Sequence, residues 1–370
     1  MIDTIVFTLG SGMYRITEPD KFSPSARWVE NPSLMRCDIR SKQNVKKDEL
    51  RRGAYKPYLT LSNCKSYNGL RDIILKIELS LPKLLFGNNF QELQYKDFSL
   101  ITKKLVGKLE RMGVQIDEDT LAHAHVSAIH YAKNIVLKDG STPFHYIQKI
   151  KESNISASLD ANQTDYRNDG LSYKWHCNSY EIVFYDKIKE LEKTKKRSKR
   201  TIEKDGMLQI KLLDRLTCRK KLEILRMEVR FNNRKKIRQL FAKLGIKSDL
   251  TFHNLFKPAT AKKVLLHYLD ELESKRPVLL DFKAKNDEAL LVALCMNNPE
   301  LGPKQILQMF GLKKAFEFMT PRELRVLFKR FHPRSWQRLM TDAKKVKMPN
   351  ANNSFGIIRE QIVKFKPCKI

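Results

Sequence analysis

SYKWHCNSYEIVFYDKIKELEK, residues 172–193, carries the pattern from which the fold can be read. Leu171 to Trp175 leads in as a strand, His176-Cys177-Asn178-Ser179 turns, and Tyr180 to Phe184 alternates as the returning strand of a β-hairpin. A helix is expected at once, with Asp186 and Lys187 in its first turn and Ile188 and Leu191 on its apolar face. Tyr185 therefore falls at a strand-to-helix junction, its ring anchored by packing and its hydroxyl expected to be free, as a positioned nucleophile requires. The competing reading is a core tyrosine at an interface, the usual fate of a strand-end Tyr. Tyr180 is the alternative nucleophile, weaker because it lies within the strand itself.

Outward from the hairpin, Met1 to Phe7 reads as a first strand, followed by a polar, loop-rich stretch from Gly10 to Lys56. Asp72 to Ser80 (DIILKIELS) and Leu222 to Phe231 (LEILRMEVRF) are strands with Glu78 and Glu228 inside them. Leu121 to Ala132 (LAHAHVSAIHYA) reads as another and holds His123, His125 and His130, three of the eight histidines. In a strand His123 and His125 share a face, whereas His130 points to the other unless a bulge intervenes. Helices are expected over Tyr95 to Arg111, Thr142 to Ser153 and Asn233 to Leu244. The class is therefore α+β, an antiparallel or mixed sheet with helices packed on one face.

Beyond Gly245 the pattern becomes helical, which divides the chain into 1–248 and a mostly helical 249–370. Thr320, Pro321 and Glu323 form a capping box with proline at the first helical position. Short helices joined by tight turns near 302–332 read either as a helix-turn-helix presenting Arg322 and Arg325, or as part of a basic, all-helical packing domain.

The 370 residues hold 71 Lys and Arg against 41 Asp and Glu, a formal charge of +30 that favours polyanionic partners and resists self-association. Lys195, Lys196, Arg197, Lys199 and Arg200 form a block that is either a solvated surface run or an arm tracking phosphates. Arg234, Lys235 and Lys236 open a second basic segment. Six scattered cysteines form no close pair, as befits a reducing compartment. No apolar run is long enough to span a bilayer, and the N-terminus lacks a signal pattern, so a cytoplasmic protein without a membrane partner is expected.

A tyrosine attacking a phosphodiester keeps the bond energy as a phosphotyrosine, which permits later rejoining of the strand. Such chemistry calls for a cation near the phosphate, here Lys187, and a divalent metal. Glu78, His123, His125, His130 and Glu228 are the ligand types on the expected strands, and they suit magnesium or manganese. A lone strand histidine is more often a satisfied core residue, so these five count mainly together.

In order along the chain, the opening MID with its alternating hydrophobics, KIELSLPKLLFGNN, VSAIHYAKN, FYDK with KELEK after it, and LRMEVRF leading into a basic helix resemble the gene II/gene X family of filamentous-phage rolling-circle replication proteins. The resemblance covers residues 1 to 245 and implies a Rep-like nickase of the HUH type. Such an enzyme cuts one strand of an origin, holds the 5′ phosphate on Tyr185 with Lys187 as companion, and later circularises the displaced strand. It also implies that Glu78 and Glu228 occupy the acidic positions of the family's strands and that His130 stands where relatives often carry Asp. His123-Ala124-His125 resembles the HUH signature of the wider superfamily, so the histidine set stays open between that pair and His130. Origin DNA is the implied partner, with a host helicase or polymerase as further ones. A non-catalytic origin binder or repressor, and an HUH-type transposase or relaxase, are the other readings.

Overall fold

A computed structural model describes residues 1–24, 40–43, 49, 55–65, 71–153, 164–167, 170–176, 179–198, 222–328, 331, 333–349 and 355–368. The strands are β1 (Ile2–Leu9), β2 (Arg15–Ile16), β3 (Ser23–Pro24), β4 (Arg40–Gln43), β5 (Tyr58–Lys65), β6 (Arg71–Ser80), β7 (Val114–Gln115), β8 (Val126–Leu137), β9 (Thr164–Arg167), β10 (Ser172–His176), β11 (Tyr180–Asp186) and β12 (Glu223–Phe231). Ten of them form one sheet in the order β3-β4-β5-β6-β1-β8-β12-β11-β10-β9, and β2 pairs with β7 apart from it. Every neighbouring pair is antiparallel. The protein is thus α+β, with a large antiparallel sheet at its centre.

The two-residue alternation of the strands gives this sheet two unlike faces. Leu225, Met227, Val229 and Phe231 of β12, with Ile182 and Phe184 of β11 and Ile129 and Tyr131 of β8, turn toward one large core. Helices Phe98–Arg111, Pro143–Glu152, Arg234–Lys243, Pro258–Lys275 and Gly356–Lys364 bury their apolar stripes in that same core. The other face carries the alternate residues, including Tyr185, Arg226, Glu228 and Arg230. Helices are not confined to one side, however: Leu191 of helix Lys187–Ser198 packs with Phe90 and Ile224 in a small separate cluster. Ile224 shares its parity with Arg226, so this helix covers one end of the polar face.

Two elements depart from the sequence reading. Leu121 to Ala132 is not one strand, because a short helix, Glu118–Ala122, occupies its beginning and β8 starts only at Val126. Asp117 explains the helix: its carboxylate accepts from the Thr120 amide at 2.7 Å and from the Thr120 hydroxyl at 2.6 Å. Near 302–332, helix Pro303–Phe318 runs unbroken through Gly311 before Pro321–Phe328 begins, so the expected tight turn at Gly311 is absent. The Thr320 capping box does form, with the Thr320 amide donating to Glu323 Oε2 at 2.7 Å.

The apolar residues also divide differently from the expected boundary at 248. Leu250 to Leu272, together with Phe355, Ile358 and Ile362, belong to the sheet core. Leu279 to Met348 build a second, wholly helical core around Leu294, Met309, Leu312, Trp336 and Met340. The second core is therefore inserted between two stretches that both serve the first. Arg276 stands where the chain leaves the sheet core: its guanidinium takes Asp281 at 2.8 and 3.0 Å, the Lys149 carbonyl at 2.6 Å and Glu152 at 3.2 Å.

Candidate active site

The polar face gathers its side chains by register. Tyr185 lies opposite Arg226 across β11 and β12, Glu181 opposite Arg230, and on the far side of β12 Asn134 and His130 of β8 stand opposite Arg226 and Arg230. Asp3 joins them because β1 carries an irregularity against β8 between Ile2 and Ile5; both isoleucines stay in the core and Asp3 is left facing β12.

Glu228 is the hub. Its Oε1 accepts from the Tyr185 hydroxyl at 2.8 Å and from Arg226 Nε at 2.7 Å, and its Oε2 accepts from Arg230 at 2.5 and 2.8 Å. Arg226 is itself saturated, donating also to Asp3 Oδ1 at 2.7 Å, the Asn89 carbonyl at 2.8 Å and Asn134 Oδ1 at 3.1 Å. Arg230 reaches on to Glu181 at 3.3 Å. Lys187 is fully buried; its ammonium donates to Asn89 Oδ1 at 3.0 Å and Glu190 Oε2 at 2.6 Å and lies 5.5 Å from the centre of the Tyr185 ring. Asp186, the last residue of β11, accepts from the Lys189 amide at 2.9 Å and so starts the helix.

Two expectations about Tyr185 are corrected here. Its hydroxyl is not free, since it is held by Glu228, and the side chain is only 7% exposed. The strand runs on through Asp186, which keeps Tyr185 inside the sheet rather than at its lip. It nevertheless lines a small cleft of about 170 Å³ with Ser172, Lys189, Glu190 and Arg230.

The electrostatics follow from burial set against charge. Burial alone would raise the Glu228 carboxyl, but Arg230 and then Arg226 outweigh it and hold the group well below the usual carboxylate range. Burial pushes the Tyr185 hydroxyl well above its ordinary value, with Arg226 pulling the other way. Lys187 is lowered by burial, which Glu190 opposes. His130 is lowered by burial and by Arg230.

The expected metal ligands do not converge. Glu78 faces the same side as Val6 in register on β1, is nearly half exposed, and pairs with Lys76 at 3.2 Å. His123 ends the short helix with its Nδ1 3.2 Å from Asp119, and His125 bridges to Thr251 and lies 3.3 Å from Arg234. Neither is in a strand, and their side chains join no other expected ligand. Among the described residues no three His, Cys, Asp or Glu side chains gather as a metal site.

The basic residues are spread as widely. Arg234 to Lys236 open a helix whose buried face joins the core on the opposite side of the sheet from Tyr185, and Lys236 lies 4.3 Å over the Tyr180 ring. Arg325 is half-buried on helix Pro321–Phe328. The side chains of Lys195, Lys196, Arg197 and Arg322, and all of Lys199 and Arg200, lie outside the described residues. Of the hub, sequence reasoning found Tyr185, Lys187, His130 and Glu228 and missed Asp3, Arg226 and Arg230. The signal was present: in LEILRMEVRF the residues Arg226, Glu228 and Arg230 recur at a period of two and must share one face.

No protein-family model, curated protein or solved structure matches the chain. No helix among the described residues is long and apolar enough to cross a membrane.

Proposed function

We propose that the chain is a tyrosine-dependent DNA nickase of the rolling-circle initiator type, with the sheet as a Rep-like nickase core. The observation that carries this reading is the Tyr185 hydroxyl, 2.8 Å from a carboxylate, at a cleft that Arg230 and Lys189 also line. In the proposed step the Tyr185 oxygen bonds to phosphorus as its proton passes to Glu228. The bond from phosphorus to the 3′ oxygen breaks, and that oxygen leaves with a proton from water. Arg230 and Lys189 face the charge of the phosphate. The product is a 5′ phosphate on tyrosine and a free 3′ hydroxyl.

Magnesium or manganese was expected, but the five side chains chosen for it do not fit one ion: His123, His125 and Glu78 stand apart, and both Glu228 oxygens are engaged by guanidinium groups. The step is accordingly written through the protein's own side chains.

A specific observation favours a second reading, a non-catalytic DNA-binding protein. Every partner in the hub is already satisfied, as in a structural polar network, while the charge of +30 alone accounts for binding DNA. The two readings separate on a pool of end-labelled single-stranded oligonucleotides. A nickase leaves label attached to the Tyr185 peptide after denaturation, and Tyr185→Phe loses that label while keeping salt-sensitive binding. Label retained by Tyr185→Phe would refute the assignment, and binding with no covalent label from the native protein would support the second reading.

A further inference from the structure

Seven of the twelve large hydrophobic side chains found exposed belong to residues 292–331, within the second core. Two of them, Val292 at 53% and Met296 at 77%, stand one turn apart on helix Asp287–Asn297. The inner side of this helix already buries Leu290 and Leu294 against helix Pro303–Phe318, so it is apolar on both sides. A helix of that kind is built to be covered twice. Leu307, on the helix packed against it, is likewise 61% exposed.

The charge around this stripe says what covers it. From Asp287 to Pro303 the chain has no Lys or Arg, although the whole molecule carries 71 of them; Asp287, Glu288 and Glu300 are the charged residues there. The lysines that approach the two ends are neutralised, Lys314 by Asp287 at 2.9 Å and Lys347 by Glu300 at 3.3 Å. A nucleic acid backbone finds nothing to bind on such a surface. Two molecules of charge +30 repel over nearly all of their surfaces, and this stripe is a place where they can approach without facing cation to cation.

We infer that helix Asp287–Asn297 is a self-association surface, on which a second copy of this chain docks its own Asp287–Asn297 antiparallel about a two-fold axis. Val292 and Met296 of each copy fill the contact, and the exposed Cys295 lies near the axis. One helix stripe with Leu307 beside it is less than the ~800 Å² per partner of a stable interface, so the dimer is weak and concentration-dependent. Because the opposing force is long-range repulsion, salt strengthens it, the reverse of what salt does to DNA binding.

Sedimentation velocity of the full chain without DNA, over a wide protein concentration range at low and high salt, tests this. The expected result is a monomer–dimer equilibrium that shifts toward dimer at high salt. A short bismaleimide should join two copies through Cys295 and fail to do so in Cys295→Ser. Val292→Glu and, separately, Met296→Glu should each raise the dissociation constant at least about tenfold, every substitution acting twice across the axis. Circular dichroism checks that each variant keeps its fold. A monomer at every concentration and salt, a dimer that both variants leave intact, or a dimer weakened by salt would overturn the inference. None of these outcomes depends on Tyr185 chemistry.

Discussion

Glu228 shows how one buried carboxylate is kept ionised. Two guanidinium groups and a phenol offset its desolvation, and removing its charge would leave Arg226 and Arg230 buried beside a neutral group. Glu228→Gln should therefore cost about 3 kcal/mol or more near neutral pH, read as a lower denaturant midpoint. The pH dependence has a definite sign. A carboxyl depressed in the folded state contributes fully above its unfolded value of about 4.3 and loses that contribution as pH falls through the depressed folded value. Acid titration of stability should be shallower in Glu228→Gln than in the native protein, and equal slopes would contradict the hub. At this scale much was readable in the sequence. Tyr185 and Glu228 were picked out by residue type and strand position, whereas Asp3 was not, because only a strand irregularity brings it to Arg226 and no period predicts one. His123 and His125 misled for the opposite reason: alternation was assumed across a segment that Asp117 had already turned into a helix.

Among the elements, β8 is longer than its neighbour β1, whose pairing with it ends at Ile2 opposite Tyr131. The outer edge of β8 beyond that point is an open ladder closed by side chains instead of a strand. Glu92 accepts from the Asn134 amide at 2.5 Å, and Gln361 both accepts from the Val136 amide at 2.9 Å and donates to the Val136 carbonyl at 2.6 Å. One amide side chain thus reproduces a strand pairing and covers an edge that would otherwise invite another chain. Gln361→Ala should speed hydrogen exchange at Val136 by about tenfold or more while leaving the centre of β12 protected. Unchanged exchange would show that Gln361 has no such part. The hairpin β10–β11, β6, β12 and the helices over 98–111 and 143–152 follow the sequence periods closely, as strong alternation over long runs should. Helix Gly356–Lys364 was not anticipated, since nothing local distinguishes it from the loops around it; its apolar face acquires meaning only against β8 and helix Pro258–Lys275.

For the whole molecule, the division into two cores rests on few links, and Arg276 is the most concentrated of them. Its charge is 4% exposed and joins Glu152 of the sheet core to Asp281 at the entry of the second. Arg276→Ala should uncouple the two, so that calorimetry resolves separate unfolding transitions where the native protein shows closer cooperation. A single unchanged transition would show that the coupling lies elsewhere. Sequence alone placed the change to helices correctly but put the boundary too early, because a helix that packs on a sheet and a helix that packs on other helices have the same period.

The insertion of the second core has a consequence for synthesis. Residues 355–362 complete a core begun at Met1, so on the ribosome the sheet waits for the last part of the chain while the helical core, contiguous in sequence, can close before it. Gln361, which seals β8, emerges after all ten strands have left the tunnel. Newly made molecules therefore pass through an interval with a folded helical unit and an unsealed sheet, and it is in that interval that chaperones would be needed most.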